Sequence, residues 1–556
     1  MSPPLPRPAF GGWTLLAVTV AGLVALPVLV VLSRVFADSA GVWGHLASTV
    51  LPDYVRNTGL LMLGVGSVSA VLGVGTAWLV TMHRFPGARM FEWALLLPLA
   101  VPTYVMGYVY TDLLDVAGPV QAALRDLTGW GARDYWFPNL RTLPGAVFVM
   151  GFVLYPYVYL LARAAFLEQS VCVLEVSRTL GRGPWRSFLG VGLPLARPAI
   201  VAGLALVLME TIADFGTVQY FGVPTFTTGI YRTWFGMGEP IAAAQLAAFM
   251  LLFVAVLVLL ERWSRGRAKY HHTTGRYRRL SQRPLTGWKG IGACLACALP
   301  LALGFLVPAG ALLRFAVLDG DPLLGRSFVD FARNSFVLAA VTAGIAVLLA
   351  TLLAYAIRLR PNPANRAAVR AASLGYAVPG SVIAVGVLIP FAAFDNAVDA
   401  FFTRHVGFGT GLILTGTIAA LVFAYLVRFL AISYNTIEAS LGKISPSMDQ
   451  ASRILGHGPK RTLIRVHAPI MRGGMLTAGL LVFVDVMKEL PATLIVRPFN
   501  FDTLAVRVYR LASDERLAEA STAALAIVAV GVLPVILLSL AIARSRPGQN
   551  GAPPEG

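Results

Sequence analysis

About twelve apolar runs of roughly 20 residues each constrain this chain more than any other feature of its sequence. A run of that length spans the hydrocarbon of a bilayer, and in lipid it forms a helix because its backbone polar groups must find partners within the segment. Only 13% of the 556 residues are charged, against about 25% in soluble proteins. The sequence therefore predicts an all-α, polytopic membrane protein and excludes a secreted enzyme, a disulfide scaffold and a disordered chain. The runs lie near 13–33, 58–81, 92–113, 144–166, 196–221 and 240–261, then 290–313, 335–357, 372–393, 409–430, 471–495 and 520–543.

The segments between the runs differ in charge. The most basic is the linker at 262–289, which carries nine Lys or Arg residues, whereas the alternate connections hold many of the acids. Basic loops stay on the cytoplasmic side of a membrane. We therefore attribute the formal charge of +18 to the orientation of the chain in the membrane and to contact of its basic segments with anionic lipid. This pattern predicts that both termini are cytoplasmic, which needs an even number of spans, and that nucleic acid is not a partner.

The two halves of the sequence resemble each other. Corresponding motifs occur in the same order, and each half passes through six apolar runs. We therefore predict two fused six-helix units of the same topology, at 13–261 and 290–543, with disordered tails at 1–12 and 544–556. The motifs match at Asn57 and Asn334, at Pro102 and Pro379, and at Arg163 and Arg428.

A cytoplasmic segment occurs once in each half, at 170–198 and at 445–473, with the same glycine and proline spacing. Glycine suits the left-handed residue that ends a helix, and proline suits the first turn of the next one. Each copy is predicted to form a short helix, a glycine turn and a second short helix on the membrane surface, shaped to dock into a groove of another protein. The residues predicted to couple to that partner are Glu175, Ser177, Arg178, Gly181, Pro184 and Pro194 in the first copy, and Gln450, Ala451, Ser452, Arg453, Gly456, Pro459 and Pro469 in the second.

Both copies resemble the EAA loop of ABC-importer permeases, whose pattern is Glu-Ala-Ala, three residues, Gly, nine residues and Ile-x-Leu-Pro. The second copy departs from it where Gln450 replaces the acid and Ala468 replaces the leucine before the proline. In that family each loop is a coupling helix seated in an ATPase subunit, which implies a cytoplasmic ABC ATPase homodimer as partner. The sequence has no G-x-x-x-x-G-K-[ST] loop. We therefore expect ATP and Mg²⁺ on that partner, no cofactor on this chain, and a transport permease rather than an enzyme.

The fifth run of each half contains charged residues, which are costly in lipid and usually functional. Glu210 and Asp214 lie four residues apart in the first half, and Asp485 and Glu489 lie four apart in the second, with Lys488 beside them. This spacing predicts each pair on one helix face, facing a shared translocation path. Carboxylates suit a hard cation, so Asp214 and Glu489 are candidate transient metal ligands. The alternative is structural: pairing of Lys488 with an acid, or a helix end exposed to water.

The segments at 213–222 and 486–509 resemble the fused permeases of bacterial ferric-iron ABC importers. The resemblance covers nearly the whole chain and implies two fused type I importer units in the bacterial inner membrane. It also implies a periplasmic binding protein that delivers ferric iron as the substrate. Related permeases carry thiamine, polyamines or phosphonates, which are therefore alternative substrates. An ion-coupled secondary transporter, in which the intramembrane acids relay protons, is a further alternative.

Overall fold

The computed structural model describes residues 11–39, 41–168, 183–265, 282–320 and 325–544. Helices make up most of this part of the chain, and the strand pairing found there joins β1 (His83–Arg84) to β2 (Arg283–Pro284) in parallel. The prediction of an all-α membrane protein is confirmed. The predicted tails at 1–12 and 544–556 lie outside the described residues, except for residues 11, 12 and 544.

Within the described residues, 11 helices are long and apolar enough to cross a membrane, and the number rises to 12 if one bent helix pair counts as a span. These spans match the predicted runs in order. The helices of the first half are α1 (Gly12–Ser33), α2 (Val42–Thr49), α3 (Leu51–Met82), α4 (Ala88–Ala94), α5 (Thr103–Leu114), α6 (Pro119–Thr128), α7 (Leu143–Glu168), α8 (Pro184–Ser187), α9 (Leu193–Ala213), α10 (Gly216–Tyr220), α11 (Phe226–Tyr231) and α12 (Pro240–Arg265). Those of the second half are α13 (Trp288–Leu301), α14 (Val307–Arg314), α15 (Arg326–Leu359), α16 (Pro363–Leu374), α17 (Gly380–His405), α18 (Ile418–Leu441), α19 (Pro446–Ile454), α20 (Pro459–Thr462), α21 (Ala468–Lys488), α22 (Pro491–Val496), α23 (Leu504–Ser513) and α24 (Leu517–Arg544).

The third span of the first half is broken, although the sequence predicts a continuous run at 92–113. α4 leads through a 3₁₀ turn (Leu97–Ala100) to α5, and the two parts of the span meet at 92°. Pro102 stands between them with extended backbone and has no N–H with which to continue the helix. Pro379 stands in the same place before α17. The proline that marks the repeat in the sequence therefore marks a helix start in both halves.

The fifth spans of the two halves have the same construction. Each begins with a π turn, Phe188–Gly192 in the first half and Leu463–His467 in the second. The turn leads directly into α9 or α21, which are both 21 residues long. Each long helix then ends at a break of two residues and is followed by a short helix, α10 or α22. The repeat seen in the sequence thus extends to the bounds of these elements.

Packing divides the described residues into two compact units that are not the two halves of the sequence. One unit comprises residues within 1–45, 229–251 and 329–506, and the other comprises residues within 46–228, 252–328 and 507–556. In the first of these units α1 packs on α16 and α17, so closely that a Cβ on Gly386 would lie 2.3 Å from the carbonyl oxygen of Pro27. In the other unit α14 packs on α5. The first helix of each half therefore packs on helices of the other half, and the predicted units at 13–261 and 290–543 describe the repeat rather than the packing.

Candidate functional site

The second cytoplasmic segment forms a helix, a turn and a short helix. α19 is followed by Gly456, whose φ of +76° lies in the left-handed region that favours glycine. α20 begins at Pro459, where the missing N–H of proline removes no helical hydrogen bond. These are the elements that the glycine and proline spacing predicts for residues 445–473, which we call the second coupling segment.

The second coupling segment exposes an apolar face. Ala451 and Ile454 are exposed on α19, and Leu455 follows at its end; the exposed fractions of Ile454 and Leu455 are 86% and 74%. Residues three or four positions apart share one face of a helix, so these side chains lie together. Ser452 is instead buried, and its Oγ lies 2.8 Å from Oγ1 of Thr462 on α20. An internal hydrogen bond therefore holds the two helices together while apolar side chains face outward.

The other residues predicted to couple divide between described and undescribed parts of the chain. In the second copy Gln450, Arg453, Gly456, Pro459 and Pro469 are exposed. In the first copy Glu175, Ser177, Arg178 and Gly181 lie outside the described residues, whereas Pro184 begins α8 and Pro194 is the second residue of α9. The coupling role of both copies stays a prediction.

The fifth-span acids lie at and before the ends of two long helices. α9 and α21 end immediately before Asp214 and Glu489, whose backbones are extended. Each pair therefore straddles a helix end, and the shared helix face stays a prediction. Glu210 and Asp485 lie inside the helices, and Lys488 Nζ lies 3.0 Å from Asp485 Oδ1. That ion pair is the structural alternative anticipated from the sequence.

Asp214 caps the short helix α10. Its Oδ1 accepts hydrogen bonds from the backbone N–H groups of Thr217 (3.0 Å) and Val218 (3.2 Å). Its Oδ2 accepts from the hydroxyls of Thr103 (2.6 Å) and Thr217 (3.0 Å). A carboxylate at a helix N-terminus satisfies N–H groups that have no helical partner. Because Thr103 is the first residue of α5, this carboxylate also ties the broken third span to the broken fifth span.

Glu489 caps α22 in a similar way. Its carboxylate accepts hydrogen bonds from the backbone N–H groups of Ala492 (2.9 Å) and Thr493 (3.0 Å), and from the hydroxyl of Thr493 (2.7 Å). Arg428 on α18 donates from Nη1 to Glu489 Oε1 at 3.4 Å, and both side chains are buried. The buried carboxylate is thus paired with a cation and hydrogen-bonded, which are the conditions under which burial of a charge is tolerated.

The caps formed by Asp214 and Glu489 have similar geometry, but each uses a different pair of residues. Thr103 begins α5 in the first half, and Gly380 begins α17 at the same place in the second. A Cβ on Gly380 would lie 2.8 Å from Glu489 Oε1 and 2.9 Å from Arg428 Nη1. The longer Glu489 therefore fits because position 380 has no side chain, whereas the shorter Asp214 is met by the hydroxyl of Thr103.

The repeated asparagines have a role that sequence reasoning missed. Asn57 Nδ2 donates to the carbonyl of Pro224 at 3.0 Å, and Asn334 Nδ2 donates to the carbonyl of Asp502 at 3.1 Å. Each carbonyl belongs to the connection that follows the capped helix, α10 or α22. The asparagine therefore anchors the same connection in both halves. Its recurrence in the repeat is the sequence signal that could have pointed to this role.

The repeated arginines have unlike partners. Arg163 Nη2 lies 2.6 Å from Glu92 Oε2 on α4, and the hydroxyl of Tyr159 donates to the Glu92 carbonyl at 2.9 Å. Arg428 instead faces Glu489. Equivalent positions in the repeat thus place a cation in each half, but the acid that faces it comes from a different element. The sequence identifies the arginine and not its partner.

Within the described residues, no group of three or more His, Cys, Asp and Glu side chains lies close enough together to hold a metal ion. Asp214 and Glu489 each accept several hydrogen bonds, which occupy the lone pairs of their oxygens. The geometry therefore performs helix capping. Transient ligation of a metal by either acid stays a prediction.

The family described as "Binding-protein-dependent transport system inner membrane component" matches residues 69–270. This stretch contains the broken third span, the first copy of the cytoplasmic segment and the Asp214 cap. The chain is therefore similar to this family over that stretch. It is a multi-pass inner membrane permease, and the apolar spans of the described residues agree with that location.

Three relatives of this permease cover between 38% and 96% of the chain. "Fe(3+)-transport system permease protein FbpB 2" of Haemophilus influenzae is 27% identical over 96% of this chain and 98% of its own length. "Putative ferric transport system permease protein FbpB 1" of the same organism is 24% identical over 84% of this chain and 73% of its own length. "Molybdenum transport system permease protein ModB" of Escherichia coli is 28% identical over 38% of this chain and 95% of its own length. A relative that fits within less than half of this permease agrees with two fused permease units.

Proposed function

We propose that this permease is the membrane subunit of an ABC importer that moves ferric iron from a periplasmic binding protein into the cytoplasm. The observation that carries the proposal is similarity, along 96% of the chain, to a permease named for Fe(3+) transport. The second coupling segment supports it, because its exposed apolar face suits a helix that docks into a groove of a partner. Ferric iron is the cargo of this proposal, not a resident cofactor.

The partners follow from the coupling segments. In this proposal an ATPase homodimer lies on the cytoplasmic side, binds ATP and Mg²⁺, and receives one coupling segment in each subunit. Ile454 and Leu455 are the apolar anchors of the second segment, since they are largely exposed and adjoin each other. The chain itself binds no cofactor and has no ATPase motif. Both termini are proposed to be cytoplasmic, on the side of the coupling segments and of the basic linker at 262–289.

The charged residues of the fifth spans are proposed to lie along the translocation path. Glu210, Asp214, Asp485, Lys488 and Glu489 all fall at or near the point where each span breaks. Asp214 and Glu489 hold the short helices that follow the breaks, so a change in either cap alters the local course of the path. Either carboxylate meets a passing hard cation only when some of its hydrogen-bond donors release it.

Reconstitution tests the proposed function. The permease, its ATPase and the iron-loaded binding protein are placed in proteoliposomes, and uptake of radioactive iron is followed with and without ATP. We expect uptake that needs all three components and ATP. Molybdate, thiamine and a polyamine serve as competing substrates. Uptake of one of these in place of iron would contradict the substrate, and uptake driven by a proton gradient without ATP would contradict the ABC mechanism.

The acids are tested in the same assay. Asp214→Asn combined with Glu489→Gln is expected to slow iron import far more than ATP hydrolysis, because both changes act on the path and not on the ATPase. Asp53→Asn is the control, since Asp53 forms an exposed pair with Arg56 (3.1 Å) in the first turn of α3. An unchanged import rate in the double variant would limit both acids to a structural role.

A further inference from the structure

One carboxylate joins three elements at the second coupling segment. Asp449 lies in the first turn of α19, and Arg358 lies in the last turn of α15. Asp449 Oδ2 accepts a hydrogen bond from Arg358 Nε at 2.9 Å and lies 2.8 Å from Arg358 Nη2. Their side chains are only 20% and 16% exposed. Two contacts from one guanidinium to one carboxylate fix the direction of the pair as well as its distance.

The other oxygen of this carboxylate faces the π turn before α21. His467 Nε2 lies 2.7 Å from Asp449 Oδ1, and His467 is fully buried. The His467 ring also meets the ring of Tyr355 edge-on, with 5.4 Å between centroids. Asp449 therefore connects the coupling helix α19 to α15 on one side and to the base of the fifth span on the other.

Further hydrogen bonds from α15 complete this arrangement. The hydroxyl of Tyr355 donates to the carbonyl of Pro459 at 2.8 Å. Arg358 donates from Nη1 to the carbonyl of Leu441 (2.8 Å) and from Nη2 to the carbonyl of Ile444 (2.9 Å). α15 thus holds both helices of the second coupling segment through polar groups. We call these four side chains the polar joint: Tyr355, Arg358, Asp449 and His467.

The corresponding positions of the first half differ at every one of these residues. In the register set by Asn57 and Asn334, and by Ser177 and Ser452, the counterparts are Trp78 for Tyr355, Thr81 for Arg358, Leu174 for Asp449 and Gly192 for His467. The Trp78 ring lies 5.2 Å from the Phe166 ring and 4.8 Å from the Phe188 ring, measured between centroids. A Cβ on Gly192 would lie 2.6 Å from the Trp78 ring. Aromatic packing against a glycine therefore stands at the base of the first fifth span, where the second has a histidine beside a carboxylate.

We propose that Asp449 is a positioning residue of the transport cycle, and that the two halves transmit motion through joints of different chemistry. The inference rests on the proposed function, because force passes through these segments only in an ATP-driven permease. In the second half, motion of α19 reaches α15 through hydrogen bonds from Arg358 to one carboxylate, and it reaches α21 through the contact of that carboxylate with His467. In the first half, the π turn is linked to α3 by the packing of Trp78. Removing the charge of Asp449 should therefore loosen the second coupling segment and leave the packing of Trp78 in the first half unchanged.

The test uses the complete transporter, with its ATPase and iron-loaded binding protein, in proteoliposomes. Asp449→Asn removes the charge at nearly constant volume. We expect hydrogen exchange of the α19 amides to become about tenfold faster, which corresponds to losing roughly one charge-assisted hydrogen bond. The number of ferric ions imported per ATP hydrolysed should fall severalfold. Asp449→Glu keeps the charge and should restore much of both quantities.

Two further variants separate positioning from general damage. Asp53→Asn breaks the exposed pair with Arg56 and should change neither α19 exchange nor import per ATP. Trp78→Leu is the reciprocal variant: it should lower import per ATP without changing exchange in α19, because its aromatic contacts lie in the first half. If Asp449→Asn fails to assemble, Arg358→Gln carries the same test, since it removes the other charge of the same pair.

The outcomes distinguish this inference from the function on which it rests. A wild-type complex that imports iron with ATP, together with unchanged α19 exchange and unchanged import per ATP in Asp449→Asn, would overturn the inference alone. Failure of Asp449→Glu to improve on Asp449→Asn would also overturn it, because charge would then not be the relevant property. A wild-type complex that does not import iron with ATP would overturn the proposed function instead.

Discussion

Exchanging one pair of residues between the halves tests how the acid caps are built. Gly380→Thr combined with Glu489→Asp gives the second half the residues that the first half has at Thr103 and Asp214. In the first half the Thr103 hydroxyl donates to Asp214 Oδ2 at 2.6 Å. If the two caps are equivalent, the exchanged pair should form the same hydrogen bond, and the double variant should be nearly as stable as the wild type.

Each single change should destabilise the protein. In Gly380→Thr the new Cβ meets Glu489 Oε1 at 2.8 Å and Arg428 Nη1 at 2.9 Å, both buried, and overpacking of this kind costs about 1–3 kcal/mol. In Glu489→Asp the carboxylate retracts from the N–H groups of Ala492 and Thr493, and loss of a helix cap costs about 1 kcal/mol. Independent effects would therefore sum to about 2–4 kcal/mol. The double variant should instead lie within about 1 kcal/mol of the wild type, since residues in contact couple by amounts of this size.

The free energy of unfolding is measured by titrating the purified permease with SDS in mixed micelles. The reverse exchange in the first half, Thr103→Gly with Asp214→Glu, is the matched control and should show coupling of the same sign. Single effects that add to within about 0.5 kcal/mol in the double variant would refute the reasoning. They would mean that position 380 and residue 489 are energetically independent, and that the close approach at Gly380 does not determine which acid fits.

Five other substitutions test the glycine turns, the asparagine anchors and the packing of α1. Gly456→Pro, and Gly181→Pro at the matching position, should uncouple iron import from ATP hydrolysis while membrane insertion persists; normal import per ATP by both variants would contradict the coupling role. Asn57→Ala and Asn334→Ala should each lower the free energy of unfolding by about 1 kcal/mol, the contribution of one hydrogen bond, and SDS titration measures it. Gly386→Val should lower it by about 1–3 kcal/mol in the same titration, because its side chain would meet the α1 backbone, and an unchanged value would contradict that close packing.

The features that the sequence predicts well are those fixed locally. A long apolar run in lipid has little choice but a helix, so the spans and their order follow from hydropathy. The turn at Gly456 follows from the position of glycine before Pro459, because the left-handed conformation and the fixed φ of proline are properties of single residues. Neither inference needs knowledge of what packs against the segment.

The sequence analysis did not predict where the fifth spans break, although the sequence contains a local feature that marks each break. Glu489 stands two residues before Pro491, and Asp214 stands two residues before Gly216. An acid shortly before a proline is typical of a helix start, and it could have indicated that the long helix ends at the acid. Residue spacing by itself could not reveal this, because the spacing of four residues has meaning only if the helix continues. The partners of the caps, Thr103 and Arg428, lie too far away in sequence for spacing to identify them.

The exchange of first helices between the halves could not be predicted from the sequence. α1 packs on α16 and α17, but its apolar surface would suit any helix of the bundle equally well. The choice depends on where close approach is allowed, as at Gly386, and a single glycine among the 54 of the chain gives no signal of its partner. The bounds of the compact units therefore differ from those of the sequence repeat, because they depend on long-range packing.

At two matching places the two halves exchange both side chains of a contacting pair. At the caps, the pair of Asp214 with Thr103 is matched by Glu489 with Gly380, so that a longer acid faces a residue without a side chain. At the base of the fifth span, Trp78 against Gly192 corresponds to Tyr355 against His467, and again the larger ring faces the smaller residue. In both places a larger side chain in one half is matched by a smaller partner. Such compensation is expected if the two halves must keep the same spacing to move alike. It is not expected if the side chains themselves perform the same chemistry in each half. The fit between the paired side chains, rather than the identity of any one acid or ring, is therefore what the two halves share at these places.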